Sequence, residues 1–126
     1  MSEQTLIVRV PASEFLSANA RHHWPVRAKR TRMLRRRARY HALSQGIKPV
    51  AGLCMVSVYV QYAHRRRADP ANTYPSVKAM LDGLTDAGVW VDDDSAHVAG
   101  PAFYREDGTC KKGEYVFRFV LSPTTL

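Results

Sequence analysis

Cysteine is scarce in this chain. Cys54 and Cys110 are the only two among 126 residues, far apart and without His or Cys neighbours at zinc-ligand spacing. Two such cysteines make no disulfide framework and no structural zinc site. Cys54 falls in an apolar, strand-like run, so both thiols are expected to be reduced. A bond between them is left open, but nothing in the pattern requires one. Long apolar runs are missing as well. No stretch approaches the ~20 residues that cross a bilayer. Thr5–Val10 is too short for the apolar core of a secretion signal after the polar Met1–Gln4. A cytoplasmic protein without a membrane segment is therefore expected. Repeats and low-complexity segments are also absent. Acidic residues are outnumbered, with 11 Asp and Glu against 19 Lys and Arg, a net charge of +8.

What remains is a chain of 45% apolar residues, too apolar for intrinsic disorder and of a length that suits one domain, residues 1–126. The basic excess favours a polyanionic partner, nucleic acid before a membrane surface. Thr5–Val10 reads as a first strand ended by Pro11, and residues 11–20 as a loop. In that loop Ser17 and Asn19 either order the turn or contact phosphate. His22 and His23 follow, and adjacent histidines rarely serve one metal ion from regular structure.

A helix is expected from Val26 to about Leu43, with Leu34, Ala38 and Ala42 forming one narrow apolar stripe. Arg27, Lys29, Arg30, Arg32, Arg35, Arg36, Arg37 and Arg39 surround that stripe. Together with Arg21 they place nine of the 19 basic residues between positions 21 and 39, with no acid among them. A solvated helix face mixes both signs, so this cluster favours a phosphate-binding surface over a solvent face or a dimer contact.

Leu53–Tyr62 has the alternation of a strand, with Val56, Val58, Val60 and Tyr62 on one side and Met55, Ser57, Tyr59 and Gln61 on the other. It leads into His64 and then Arg65-Arg66-Arg67-Ala68-Asp69-Pro70-Ala71-Asn72. Arginines recognise phosphate, and a carboxylate at a strand end is held rigidly, as a metal ligand must be. A second helix is expected from Pro75 to about Ala87, stopped by Gly88. Val89-Trp90-Val91 is expected to re-enter the core before Asp92-Asp93-Asp94, which is either a solvated turn or part of a metal site. His97–Tyr104 and Glu114–Leu121 read as two more strands joined by a hairpin at Asp107-Gly108 and Lys112-Gly113. The fold class is then α/β (α+β): one domain, a mixed sheet of about four strands and two main helices.

The stretch from Arg65 through Asp69 to Asn72, followed by Lys78-Ala79-Met80-Leu81-Asp82-Gly83-Leu84-Thr85-Asp86-Ala87-Gly88-Val89-Trp90-Val91-Asp92-Asp93, resembles the signature of RusA-type Holliday-junction resolvases. Most of the chain follows that family's order of elements. The resemblance implies a small homodimeric endonuclease, carried mostly by phages and prophages, that cuts four-way DNA junctions with Mg²⁺, or Mn²⁺ in its place. It implies no membrane and no small-molecule cofactor. Asp69 matches the family's first aspartate, and Asp92 and Asp93 match its later acidic pair, Asp93 at the catalytic position. With two extra residues placed between Asn72 and Lys78, the family's lysine matches Lys78. The implied catalytic residues are Asp69, Asp93 and Lys78, and the implied metal ligands are Asp69, Asp93, Asp92 and Asp94. Branched DNA would be met by Asn19, Arg21, Arg27, Lys29, Arg30, Arg35, Arg36, Arg65, Arg66, Arg67 and Asn72. One departure stands out: the family's second aspartate, two residues after the first, is here Ala71. Lys78 also has an alternative role, an i, i+4 pair with Asp82.

Overall fold

The computed structural model describes residues 2–124; Met1, Thr125 and Leu126 of the expected 1–126 domain lie outside the described residues. The elements run β1 (Gln4–Pro11), α1 (Trp24–Ser44), β2 (Leu53–Gln61), a 3-10 turn (Pro70–Thr73), α2 (Tyr74–Asp86), β3 (Val98–Arg105) and β4 (Glu114–Thr124). They form a single small α+β domain with a four-stranded mixed sheet of order β1-β4-β2-β3. β4 runs antiparallel to both β1 and β2, whereas β3 is parallel to β2. Parallel neighbours need a crossover, and α2 supplies it.

Period-two alternation decides which face of the sheet is buried. Leu6, Val8 and Val10 of β1, Val56, Val58 and Val60 of β2, and Phe117, Phe119 and Leu121 of β4 point into one core with both helices. α1 contributes only Leu34, Ala38 and Ala42 to it, the stripe seen in the sequence. α2 contributes Val77, Ala79, Met80, Leu81 and Leu84. The helices pack closely because of Gly83: a Cβ there would come within 2.2 Å of the Arg35 carbonyl oxygen. The bare glycine lets the two backbones approach.

Three expectations need correction. The segment joining β3 to β4 is no hairpin, because β2 lies between those strands and pairs with both. Turn chemistry at Asp107-Gly108 is local, while strand pairing is settled by the whole sheet. The connection instead folds over the end of β2, with Glu106 N–H on Val60 O at 2.9 Å and Cys110 N–H on Tyr62 O at 3.0 Å. α1 begins at Trp24, ahead of Val26, since Pro25 in the first turn has no amide to leave unpaired. Val91 does not enter the core: it is 86% exposed, while Val89 and Trp90 are buried. Gly88, at φ +79, ends α2 in the left-handed conformation expected of it.

Edge strand β1 has side-chain partners. Gln45 Nε2 donates to Ile7 O at 2.7 Å, and Ile7 N–H donates to Gln45 Oε1 at 3.0 Å. Gln4 makes the same reciprocal pair with the backbone of Lys48. Among the described residues, no helix is long and apolar enough to cross a membrane. Both cysteines are free, and burial pushes the Cys54 thiol up to about 11.

Candidate functional site

Asp69 sits where the chain leaves the sheet and turns into α2. Its extended backbone (φ −109, ψ 109) caps the 3-10 turn, and its Oδ1 accepts the Ala71 N–H at 3.0 Å. Among the described residues its other carboxylate oxygen accepts no hydrogen bond. The loop after β1 is fastened against this turn. Ala18 N–H donates to Asn72 O at 2.8 Å. The buried Ser76 hydroxyl both accepts from Leu16 N–H and donates to Leu16 O, each at 2.7 Å. Phe15 stacks on Tyr115 with ring centres 3.8 Å apart. The outcome is a cleft of about 240 Å³ in which Ser17, Asn19, Arg67, Asp69 and Asn72 meet over Phe15, Tyr62 and Tyr115. Asn19, Arg67, Asn72 and Asp69 are thereby gathered from two distant parts of the chain.

Arg65 lines a neighbouring cavity of about 220 Å³ with His64, Arg105, Glu106 and Asp107. Arg105 was not visible as a site residue in the sequence. Its guanidinium donates to Arg66 O at 2.8 Å and to His64 O at 2.9 Å, and lies 4.9 Å from the Tyr62 ring centre. It holds the loop that carries the three arginines, all exposed. Its partners are 39 and 41 residues away, so no local signal could have revealed it.

A second polar cluster is built on α2. Lys78 Nζ donates to Asp82 Oδ1 at 3.0 Å and to Asp93 Oδ2 at 2.5 Å. The i, i+4 pair is therefore present, with Asp93 added to it. The hydrogen bond from Lys78 holds the Asp93 carboxyl below its usual range, and the same bond raises the lysine. Asp92 turns its carboxylate to the Asp93 N–H at 2.8 Å. Asp94 accepts from Ala96 N–H and pairs with His97 Nδ1 at 2.6 Å, which lowers its pKa.

The basic helix is less uniform than its sequence. Arg35 makes a two-pronged pair with Asp86, at 2.5 and 2.8 Å. Arg37 does the same with Glu14, at 2.9 and 2.6 Å, and Glu14 is only 3% exposed. Arg30 donates to Phe15 O at 2.9 Å. Arg27, Lys29, Arg32, Arg36 and Arg39 are exposed and form no ion pair among the described residues, and Arg21 is also exposed. Of the expected DNA contacts on α1, Arg27, Lys29 and Arg36 remain available, while Arg30 and Arg35 are engaged inside the molecule.

The acids were tested as ligands for a hard cation. Among the described residues, no three His, Cys, Asp or Glu side chains group so as to hold a metal. Mg²⁺ keeps most of its waters and needs only one or two carboxylates. Asp69, with an uncommitted oxygen beside Ser17, Asn19 and Asn72, offers the hard oxygen donors such an ion takes. Asp92 and Asp94, like Asp69, use only Oδ1 in the bonds described, while Asp93 Oδ2 is held by Lys78. Asp69 differs in lining a cleft with Ser17, Asn19 and Asn72. No family model and no curated protein matches the chain.

Proposed function

We propose that the protein is a RusA-type, Mg²⁺-dependent endonuclease that cuts four-way or branched DNA as a homodimer, Mn²⁺ serving in place of Mg²⁺. The observation that carries this reading is the Asp69 cleft, where a carboxylate with a spare oxygen meets Asn19, Arg67 and Asn72. Cutting a phosphodiester needs an activated water and charge stabilisation at phosphate, which a bound Mg²⁺ supplies. Asp69 is the residue to hold such an ion. Arg67 is placed to take a phosphate beside it, and the exposed cations of α1 to take the flanking backbone. Lys78 keeps Asp93 charged and fixed. A junction has approximate two-fold symmetry, and opposed cuts require two such clefts.

A second reading has its own observation. Ala71 stands where the family has its second aspartate, and Asp93 is already held by Lys78. That favours a junction-binding protein with weak or no cleavage.

One assay separates the two. Labelled four-way junction and linear duplex are incubated with the protein, in Mg²⁺ and in EDTA. The endonuclease cuts only the junction and only with metal. Asp69→Asn abolishes cutting yet keeps or tightens binding, because it removes a negative charge that faces phosphate. Ala71→Asp raises the rate at low Mg²⁺. Junction binding without cutting in any metal supports the second reading. Parent-rate cutting by both Asp69→Asn and Asp93→Asn sinks the site assignment.

A further inference from the structure

α1 carries a second apolar row, on the side away from the core. Val26, Met33 and Tyr40 stand seven residues apart, and Leu43 follows three residues after Tyr40. At ~3.6 residues per turn this spacing keeps all four on one side of the helix, roughly opposite Leu34, Ala38 and Ala42. Each is open to solvent, Tyr40 by 66%, Leu43 by 53%, Val26 by 41% and Met33 by 37%. Lys29 and Arg36, also seven apart, fall within the row; both are exposed and form no ion pair among the described residues. A groove of about 450 Å³ opens beside it, lined by Met33, Arg36 and Tyr40, with the Glu14–Arg37 pair in its wall. Large apolar groups gathered in solvent mark an interaction surface.

Spacing and charge together identify the partner. Contact with phosphate employs the cations of α1 and leaves its four large apolar side chains without a role. A single strand offers bases, but of the four only Tyr40 has a ring on which a base can stack. A helix that lies on lipid keeps its cations apart from its apolar face, whereas Lys29 and Arg36 sit inside this row. A second α1 would set cation against cation, because the helix has eight basic residues and no acid. We propose that this side of α1 docks an acidic, amphipathic helix of another protein. The apolar residues of such a helix, repeating every heptad, would pack between Val26, Met33, Tyr40 and Leu43. Its carboxylates would meet Lys29 and Arg36, whose charge nothing in the protein answers. On the endonuclease reading those two cations also meet DNA, so partner and DNA would exclude one another. That consequence rests on the endonuclease reading; the docking itself does not.

The probe is a synthetic three-heptad peptide with Leu at the two core positions of each heptad and Glu at the flanking ones. Its control has the same composition with the Leu spacing scrambled. Both are titrated into the whole protein by fluorescence anisotropy in ~0.15 M salt, where long-range attraction is screened. The heptad peptide should bind with a Kd of roughly 10 µM, and the scrambled one at least about tenfold more weakly. Met33→Ser with Tyr40→Ser keeps every cation, so it should weaken the peptide about tenfold and leave duplex DNA binding within about twofold. Circular dichroism checks that the variant folds. Hydroxyl-radical footprinting of the unmodified protein should show Met33 and Tyr40 protected by the peptide, and the exposed sheet residues Met55 and Tyr104 unprotected. Equal binding of the two peptides would reduce the contact to charge and overturn the proposal. So would a peptide indifferent to the double change, or a footprint elsewhere. Loss of oligo-dT or anionic-vesicle binding in the double variant, with the peptide unbound by the parent, would give this side of α1 to a different partner. A parent that binds the peptide but no DNA would sink the endonuclease reading and leave the docking standing.

Discussion

α1 and α2 lie on the same sheet face and cross at Gly83, yet α1 buries three of its 21 residues and α2 seven of its 13. α2 is a core element, held by apolar side chains. α1 is attached by one leucine, two alanines, two arginine–carboxylate pairs and the Arg30 bond to Phe15 O, and most of the rest of it faces water. The contrast in charge is sharper still. α1 holds eight of the 19 basic residues, and the other 11 equal the chain's 11 acidic residues in number. The whole net charge of the protein thus amounts to the charge of one helix. A helix so built costs little to expose, as the proposed DNA-binding surface requires.

The largest expected effect breaks the attachment of α1. Arg37→Ala leaves Glu14 buried and unpaired, and should destabilise the fold by about 3–5 kcal/mol. Adding Glu14→Gln to it should recover part of that loss, measured by urea unfolding. An Arg37→Ala protein as stable as the parent would show that the pair is not needed.

Next in size is the salt dependence of DNA binding. If the five exposed, unpaired cations of α1 each meet a phosphate, log K should fall with log salt at a slope of roughly −4, a few-hundredfold for a fourfold rise in salt. A slope near zero would remove the helix from the binding surface.

The three consecutive arginines, Arg35, Arg36 and Arg37, then sharpen the comparison within a single turn. Arg35→Ala should cost about 1 kcal/mol, since its partner Asp86 is partly in water. Arg36→Ala should change stability by less than about 0.5 kcal/mol and reduce the salt slope by about one. Equal effects of the two on stability would mean that the Arg35 pair contributes nothing.

The smallest effect is in the pH dependence. The carboxyls of Asp86, Asp93 and Glu106 are each held below their ordinary values, chiefly by hydrogen bonds from Arg35, Lys78 and Arg118. A depressed carboxylate stabilises the fold above its unfolded pKa of ~4 and loses that contribution as pH falls through the folded value. Stability should be flat from neutrality to about pH 5 and decline below pH 4. Asp93→Asn should make that decline shallower, followed by unfolding at fixed urea.

Period told most of the fold in advance. Val56, Val58 and Val60 on β2, and Leu34, Ala38 and Ala42 on α1, announce their buried faces through spacing alone, because each face repeats with the backbone. The pairing of β3 with β2 was not legible, since Asp107-Gly108 carries the local chemistry of a hairpin whether or not its strands become neighbours. In the site, Asp69 and Asn72 stood out as a short acidic turn. Nothing in the sequence links Asn19 to them, because that meeting depends on Ala18 N–H, Ser76 and the stacking of Phe15 on Tyr115. The fates of Arg35 and Arg37 were equally hidden. A run of arginines looks uniform until the fold brings Asp86 and Glu14 to two of them.

The glutamine contacts along β1 carry a consequence for how the sheet can be extended. Gln45 fills the hydrogen-bonding positions of Ile7 with a side-chain amide that mimics one unit of a neighbouring strand, while the Gln4 side chain occupies the backbone of Lys48 outside the strand. An incoming peptide finds the Ile7 groups taken. At the far edge, Pro101 interrupts β3 with a residue that has no N–H to offer. Neither border is an open template, so strand addition and fibril growth are disfavoured at both.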